Sequence, residues 1–162
     1  MEIINSEKYT ATITIGLQKG YTQYLWSKSE VVAKLQNIQN QIIKDNGIYL
    51  SAAISECDII LSGQIEPSLK LDFINYPKFS LEEKTFKENV LLLTKSLMKE
   101  LNQNRVVIVF HNDIMMIENS SDIDPRINGC QPTHSTLLIL YNLLLILIGT
   151  TKKTNAPHSR TP

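Results

Sequence analysis

The first clear pattern in the chain is an alternation of polar and apolar residues. YTATITIGL, residues 9–17, alternates threonine with alanine or isoleucine, which is typical of a half-buried β-strand. The stretch from Gly63 to Pro67 predicts a hairpin turn, and RVVIVFHNDIMMIE, residues 105–118, predicts two strands joined by a tight turn. Between the first and last of these, β-forming residues return in three short segments: 48–55, 58–63 and 69–75. The first two of those segments are compatible with one bent strand.

Two segments have the three- and four-residue spacing of an amphipathic helix. The first begins after a capping box formed by Ser27 and Glu30 and ends at Gly47, a left-handed cap position. The second runs from about Leu81 to Asn102, and Ser80 with Glu83 predicts another capping box. Each helix has one apolar stripe: Val31, Leu35, Ile38 and Ile42 in the first, and Phe86, Val90, Leu93, Leu97 and Leu101 in the second.

The predicted element order is β-α-β-β-β-α-β-β, which belongs to the α+β class. An antiparallel sheet with both helices on one face satisfies this pattern, because each helix has a single apolar stripe to bury. The strand pair at 105–118 is apolar at consecutive positions, so both of its faces require burial. One face meets the helices, and the other is expected to meet another subunit. The sequence therefore predicts an oligomer larger than a dimer.

The character of the chain changes after Asn119, which predicts a domain over residues 1–119 and a separate tail over 120–162. LLILYNLLLILIG, residues 137–149, is 13 residues long, too short for an ordinary membrane span. The tail is compatible with a membrane anchor, with a strand or helix that docks on the core, or with an appended segment of little selected structure. We favour the appended segment, and we expect no membrane contact.

Composition narrows the class of protein. The 162 residues include 16 lysines and arginines against 16 acidic residues, so the formal net charge is zero. This balance provides no basic footprint for DNA or RNA. Two cysteines make no disulfide framework, and the acidic N-terminus does not resemble a signal peptide, so we expect a cytoplasmic protein.

The sequence offers little for catalysis. The three histidines are far apart and no cysteines have metal-ligand spacing, so we expect neither a metal site nor a cofactor. His111 and Asp113 flank a turn, whose polarity explains both of them. Glu82 and Glu83 lie in a first helical turn, where carboxylates favour the helix dipole. No residue pattern therefore identifies a catalytic group.

A group suited to binding remains around INYPKFS, residues 74–80. Tyr76 and Phe79 offer flat rings on which a base can stack. Asn89 interrupts an apolar run in the second helix, and its amide is able to read a base edge or a ribose hydroxyl. Arg105 opens a strand, and its guanidinium suits a phosphate. The alternative is that both rings cap the core and that Arg105 is a solvated strand end.

Three stretches, YTATITIGLQKGY, INYPKFS and NRVVIVFHNDIMMIEN, resemble the phage-encoded Thoeris anti-defence sponge family, in its two-helix antiparallel branch. The resemblance runs from about residue 5 to 119. It implies a protein that acts in the host bacterial cytoplasm and sequesters cyclic ADP-ribose signals, such as glycocyclic ADP-ribose made by TIR-domain enzymes. The protein does not degrade these signals. It also implies hexamers built from dimers, and separate pockets for CBASS-type cyclic di- or trinucleotides in some members.

The resemblance implies binding roles for specific residues. Phe79 matches the aromatic that stacks on the base, and Asn89 a polar helix residue of the pocket. Arg105 matches an arginine that opens the late strand and serves either the signal pocket or the second nucleotide pocket. Lys28 matches a basic residue near the start of the first helix. One departure is that the central strands carry Glu56 and Asp58 where members of the family can carry a basic residue.

The expected function is therefore a non-enzymatic nucleotide sponge. Two alternatives from other classes stay open. One is a small enzyme that hydrolyses the signal, for which no general base or metal stands in a convincing place. The other is a structural oligomeric module that uses its aromatic rings in subunit contacts.

Overall fold

A computed structural model describes residues 1–61 and 63–122 of the chain. Five antiparallel strands form one sheet in the order β2-β3-β1-β4-β5. The elements along the chain are β1 (Thr10–Gly16), α1 (Lys28–Asn46), β2 (Ser51–Leu61), β3 (Gln64–Ile74), a short 3₁₀ helix (Pro77–Phe79), α2 (Glu83–Leu101), β4 (Arg105–Phe110) and β5 (Ile114–Glu118). The predicted α+β fold with two helices on an antiparallel sheet is confirmed.

The two segments that were compatible with one bent strand form the single strand β2. Its pairing with β3 continues to Leu61 opposite Gln64, so the hairpin turn comes earlier than the predicted stretch ending at Pro67. Pro67 instead lies within β3, opposite Asp58. β1 pairs with β3 only as far as Gly16 opposite Ser68, so Pro67 lies just beyond that ladder and its missing N–H breaks none of those bonds.

The caps of α1 agree with the sequence. Ser27 and Glu30 form the reciprocal capping box, and Gly47 ends the helix with φ of 68°. The capping box predicted for α2 is wrong. The cap residue of α2 is Glu82, whose side chain makes no capping hydrogen bond, and Ser80 closes the 3₁₀ helix instead.

Asn75 explains that difference. Its side-chain oxygen accepts a hydrogen bond from the backbone N–H of Leu81 at 2.9 Å, and its amide donates to Ser80 Oγ at 3.2 Å. These bonds fix the backbone between β3 and α2 in a non-helical course, so the helix begins at Glu83 rather than directly after Ser80.

The core lies between one face of the sheet and the two helices. Alternate residues of β1, β3 and β4 are buried, and they pack with the apolar stripes of α1 and α2 into a single cluster. The strand residues of this cluster are Ala11, Ile13, Ile15, Leu69, Leu71, Phe73, Val106, Ile108 and Phe110. The period of two along each strand follows from the alternation of side chains across a pleated sheet.

The other face of the sheet carries no helix in the described part of the chain, and we call it the open face. Four of its β4 and β5 residues are apolar and exposed: Val107, Val109, Ile114 and Met116, here called the open-face patch. Val107 lies opposite Met116 and Val109 opposite Ile114, so the patch is continuous. The predicted two-sided apolar character of this hairpin is therefore present, and the predicted oligomer stays a prediction.

Side-chain hydrogen bonds of Asn104 tie the residues that follow β5 to the domain. The side chain of Asn104 donates to the carbonyl of Asp122 at 3.1 Å and accepts from the backbone N–H of Ser120 at 2.9 Å. Residues just after Asn119 thus bond to the domain, while the predicted boundary at that residue stays untested. In residues 1–61 and 63–122, no helix combines the length and the apolar character that crossing a membrane requires. The apolar run at 137–149 lies outside the described residues.

Candidate functional sites at the two ends of the sheet

The register of the sheet defines two ends. At one end, Thr10 pairs with Ile74, which also pairs with Ser51; we call this the aromatic end. At the other, Gly16 pairs with Ser68, which also pairs with Cys57; we call this the acidic end. Six residue steps of β1 separate them, or about 20 Å at roughly 3.4 Å per residue.

Three rings lie together at the aromatic end. The Tyr49 and Phe79 rings are stacked with centroids 4.5 Å apart and planes 21° apart. The Tyr76 and Phe79 rings are 6.2 Å apart with planes at 27°. Each of these residues keeps 44–45% of its surface exposed, so the rings do not serve as buried core lids. The predicted pair, Tyr76 and Phe79, is brought together, and Tyr49 joins it.

A groove of about 490 Å³ adjoins these rings between α1 and the segment that leads into β2. Tyr49 and Leu50 form one side of it, and the carbonyl of Leu50 accepts a hydrogen bond from Gln39 Nε2 at 2.8 Å. The other lining residues come from α1: Gln36, Asn37, Gln39, Asn40 and Ile43. The groove is therefore lined mainly by side-chain amides.

A charged network also lies at the aromatic end, where α2 begins. The Glu83 carboxylate pairs with Lys87 at 2.9 Å and His111 Nε2 at 3.4 Å, and it accepts a hydrogen bond from Asn112 at 3.1 Å. The Lys87 hydrogen bond is the main cause that lowers the pKa of Glu83 below its usual value. The ring of Tyr9 lies 5.4 Å from that of His111, and the hydrogen bond from its hydroxyl to Glu7 raises the pKa of Tyr9 to about 12. These partners indicate a surface network that ties α2 to the β4–β5 turn.

The acidic end contains a cleft of about 280 Å³ where β2 and β3 extend past the end of β1. Glu56 and Asp58 supply two carboxylates to its lining. Lys28, at the start of α1, pairs with Glu56 at 3.7 Å, and both side chains are largely exposed. The remaining lining residues are Leu17, Cys57, Pro67 and Ser68. The cleft is therefore rich in negative charge, which is only partly offset by Lys28.

Glu66 adds a third carboxylate at this end, on the opposite face of the sheet from Glu56 and Asp58. It is half-buried, and its carboxylate lies so close to Gly16 that a Cβ at Gly16 would overlap it. The same Cβ would lie 3.2 Å from the side-chain oxygen of Gln103, which is itself buried. Gly16 thus allows a carboxylate to lie directly over the backbone of β1.

The other predicted site residues do not join the rings within one chain. Asn89 is buried in α2, and its amide donates to the carbonyl of Thr85 one turn earlier, at 2.8 Å. Arg105 is at the acidic end, where it pairs with Glu118 at 2.6 Å and donates to the carbonyl of Ser120 at 3.3 Å. Lys28 is also at the acidic end. Their assignment to a nucleotide pocket with Phe79 stays a prediction.

Sequence reasoning missed Tyr49 and Glu66. Tyr49 follows the Gly47 cap of α1, and only the fold brings it against Phe79, 30 positions later. Glu66 falls in a segment that the pattern assigned to a turn, and nothing local indicates its contact with Gly16. Among residues 1–61 and 63–122 there is no group of three or more histidine, cysteine, aspartate or glutamate side chains arranged to hold a metal ion.

Comparison with known proteins gives a structural likeness only. No family model and no curated protein matches the chain. Among solved structures, a phage SAM lyase in its apo state covers 76% of this chain and 98% of its own, at 21% identity and a TM-score of 0.59. A phage SAM lyase in complex with S-methyl-5'-thioadenosine covers the same shares, at 22% identity and a TM-score of 0.55. These values show a shared fold.

This finding corrects one expectation. The sequence predicted a protein that is not an enzyme, whereas solved structures that share its fold include a phage SAM lyase, which is an enzyme. The prediction relied on the sponge-family resemblance and on the lack of a recognisable catalytic pattern in the sequence. Neither ground holds against a fold that in the phage SAM lyase supports an enzyme. The sponge family is not identified by the comparisons, and that resemblance stays a prediction.

Proposed function

We propose that this protein is a lyase that cleaves S-adenosylmethionine and releases S-methyl-5'-thioadenosine. The observation that carries the proposal is the fold match over 98% of a phage SAM lyase chain, together with a neighbour that holds methylthioadenosine. Both this match and the sponge resemblance involve phage proteins, which supports an anti-defence role in an infected bacterium. The proposal replaces a passive sponge with a protein that consumes a nucleoside.

The charges of the acidic end suit this substrate. S-adenosylmethionine carries a sulfonium cation and an α-ammonium group, and carboxylates bind both. Glu56 and Asp58 line the cleft, and Glu66 lies against Gly16 at the same end of the sheet, on the open face. A half-buried carboxylate attracts a cation more strongly than an exposed one, because less water screens it. We therefore assign Glu66 to holding the charged part of the substrate.

The reaction balances without water or an external oxidant. The bond between the sulfonium sulfur and the γ-carbon of the amino-acid group breaks, and its electron pair stays on sulfur, which becomes the neutral thioether of methylthioadenosine. The substrate's own carboxylate bonds to the γ-carbon, giving homoserine lactone. The ammonium keeps its charge throughout, so a carboxylate that holds it acts by orienting the attacking group.

The test is to incubate the full chain with S-adenosylmethionine and to follow methylthioadenosine and the four-carbon product by liquid chromatography and NMR. Spontaneous decay of the substrate is measured in buffer and with heat-inactivated protein. We expect methylthioadenosine to form in proportion to protein concentration and over many turnovers. Decay no faster than in buffer would overturn the proposal.

Cyclic ADP-ribose ligands are tested in parallel, because they also contain adenosine. The protein is incubated with a cyclic ADP-ribose, separated from free ligand, heated, and the released nucleotide is analysed. Intact nucleotide at stoichiometric amounts would support the predicted binding of such signals. The same assay covers cyclic di- and trinucleotides, which the sponge resemblance also implies.

A further inference from the structure

The strand β5 has an outer edge that pairs with no other strand in the described part of the chain. Phe110 donates its backbone N–H to the carbonyl of Asp113 at 2.7 Å, which makes these two residues a hydrogen-bonded pair of the β4–β5 ladder. Such pairs alternate along an antiparallel ladder, so Ile114, Met116 and Glu118 turn their backbone N–H and C=O groups away from β4. The outer edge therefore presents a row of backbone groups to which another strand can bond.

The sequence of β5 lacks features that commonly prevent pairing at a sheet edge. The strand reads IMMIE, without lysine or proline, and its register with β4 is uninterrupted. The opposite edge strand, β2, carries the carboxylates of Glu56 and Asp58. The two edges therefore differ in charge, and an acidic strand would be repelled from β2 but not from the centre of β5.

A groove of about 520 Å³ lies between β5 and the second half of α2. Met98 and Ile117 contribute apolar surface to its lining, whereas Lys95 and Lys99 contribute two ammonium groups. Glu118 also lines the groove, but its carboxylate already has the arginine partner described above. The groove beside this edge is therefore apolar with an excess of positive charge.

The two lysines of the groove have no acidic partner within residues 1–61 and 63–122. Lys95 and Lys99 lie one helical turn apart, a spacing at which like charges destabilise a helix. A cation in the last turn favours the helix dipole, which accounts for Lys99 but not for Lys95. An anionic group bound beside both lysines would offset their repulsion.

We propose that the outer edge of β5 and the lysine-lined groove form a docking site for an extended peptide that alternates acidic and apolar residues. The peptide adds to the sheet as a further antiparallel or parallel strand, bonded to the backbone of β5. Side chains alternate across a strand, so its acidic residues lie on the helix side near Lys95 and Lys99. Its apolar residues lie on the open face beside Ile114 and Met116. The site goes beyond the proposed lyase reaction and does not depend on it.

The experiment measures the binding of a fluorescent synthetic peptide, which alternates glutamate with valine, to the full chain by fluorescence anisotropy. A peptide with the same composition, but with its glutamates and valines in separate blocks, tests the alternation. A peptide that alternates lysine with valine tests the sign of the charge. N-methylation of alternate backbone nitrogens in the first peptide removes strand hydrogen bonds and keeps its charge. We expect only the unmethylated glutamate–valine alternation to bind well, and its affinity should fall as salt is added.

Substitutions test the contribution of the groove. Lys95→Glu with Lys99→Glu should weaken peptide binding about 10-fold or more, because two attractive charge contacts become repulsive. Lys44→Glu with Lys78→Glu is the matched control, since it makes the same change in net charge elsewhere. Lys44 is in the last turn of α1, as Lys99 is in that of α2, and Lys78 lies in the 3₁₀ helix. The control should bind the peptide within about twofold of the wild type, a difference of roughly 0.4 kcal/mol, which is within the range of one exposed ion pair. Thermal melts establish that each variant is folded.

NMR of the isotope-labelled chain locates the peptide, and we expect perturbed amide signals at residues 114–118 and 95–102. Three outcomes would overturn the site: no binding by the wild type, equal binding of the N-methylated peptide, or unchanged affinity in the folded Lys95→Glu, Lys99→Glu variant. Perturbations confined to β2 would also overturn it. A wild-type oligomer that pairs through β5 and excludes the peptide would assign the edge to a second copy of the chain instead. Cleavage of S-adenosylmethionine is a separate readout, so either proposal is able to fail while the other stands.

Discussion

The two ends of the sheet hold their side chains in different ways. At the aromatic end, the rings contact mainly one another and remain about 45% exposed. At the acidic end, charged side chains already have partners, as in the Lys28–Glu56 and Arg105–Glu118 pairs. Covering an exposed apolar surface with a flat ligand is favourable, because apolar area is removed from water. A charged side chain that already has a partner must give up that partner when it binds a charged ligand. The aromatic end is therefore suited to neutral ligands, and the acidic end to selective recognition of charge.

The largest effect is expected from the open-face patch. The two ends are about 20 Å apart in one chain, so side chains from both ends can meet only between neighbouring copies of the chain. We predict that the protein forms an oligomer larger than a dimer through Val107, Val109, Ile114 and Met116. Val109→Lys with Ile114→Lys should convert it to a monomer, since charges buried in an apolar interface are costly. Multi-angle light scattering measures the mass.

The control for that experiment is Val32→Lys, a half-buried position on α1 away from the open face. A wild-type monomer at micromolar concentration would contradict the predicted oligomer. An oligomer that survives both lysines would show that other surfaces, such as the exposed β2 or β5 edges, mediate assembly.

The second effect concerns the acidic end. Glu66→Gln should lower kcat/KM for S-adenosylmethionine about 10- to 150-fold, which corresponds to the 1.5–3 kcal/mol typical of a hydrogen bond to a charged group. Glu100→Gln makes the same charge change on α2, where Glu100 pairs with Lys34, and should leave the rate within twofold. Steady-state product formation measures both variants. Equal rates for Glu66→Gln and the wild type would remove this residue from the proposed site.

The two ends also differ in how far the sequence predicted them. Tyr76 and Phe79 are neighbours in the chain, so a local pattern was enough to predict that they lie together. The acidic end is assembled from β1, β2, β3 and the start of α1, and its Gly16–Glu66 contact joins residues 50 positions apart. Local periodicity contains no information about such a contact. The element types followed from periodicity because each helix and strand buries one face.

Asn89 shows the limit of reading a polar residue in an apolar run. From the sequence, its amide was interpreted as a ligand contact. An amide side chain inside a helix is also able to donate a hydrogen bond to the backbone carbonyl one turn earlier. In the fold it donates to Thr85 and is only 8% exposed. The same residue pattern therefore fits both roles, and only its burial separates them.

The third prediction follows from that burial. Asn89→Ala should lower the free energy of unfolding by about 1 kcal/mol, the usual net contribution of one hydrogen bond. The rate of methylthioadenosine formation should be unchanged per folded molecule. Chemical denaturation and steady-state product formation measure the two quantities. A loss of rate in a protein of unchanged stability would return Asn89 to a ligand site.

The smallest effect is expected from the charged network beside the rings, and it depends on pH. The hydrogen bond from Lys87 is the main cause of the lowered pKa of Glu83, with Asn112 and His111 adding to it and burial opposing it. A carboxyl group with a lower pKa in the folded state stabilises the protein above its unfolded pKa. That contribution is lost as pH falls through the folded pKa. Wild-type protein should therefore exceed Glu83→Gln in melting temperature at pH 7, and the difference should shrink below the usual value of 4.5.

Glu88→Gln serves as the control for this pH effect, because Glu88 is on the same helix and its ion pair with Lys84 is longer, at 3.9 Å, and more exposed. Its melting temperature should differ little from that of the wild type at either pH. A constant difference between wild type and Glu83→Gln from pH 7 to pH 3 would mean that the carboxylate charge does not stabilise the fold. In that case the contacts of Glu83 with Lys87, Asn112 and His111 would make no charge-dependent contribution to stability. The rings would then be held in place by Asn75 and the 3₁₀ turn, with no contribution from the neighbouring charges.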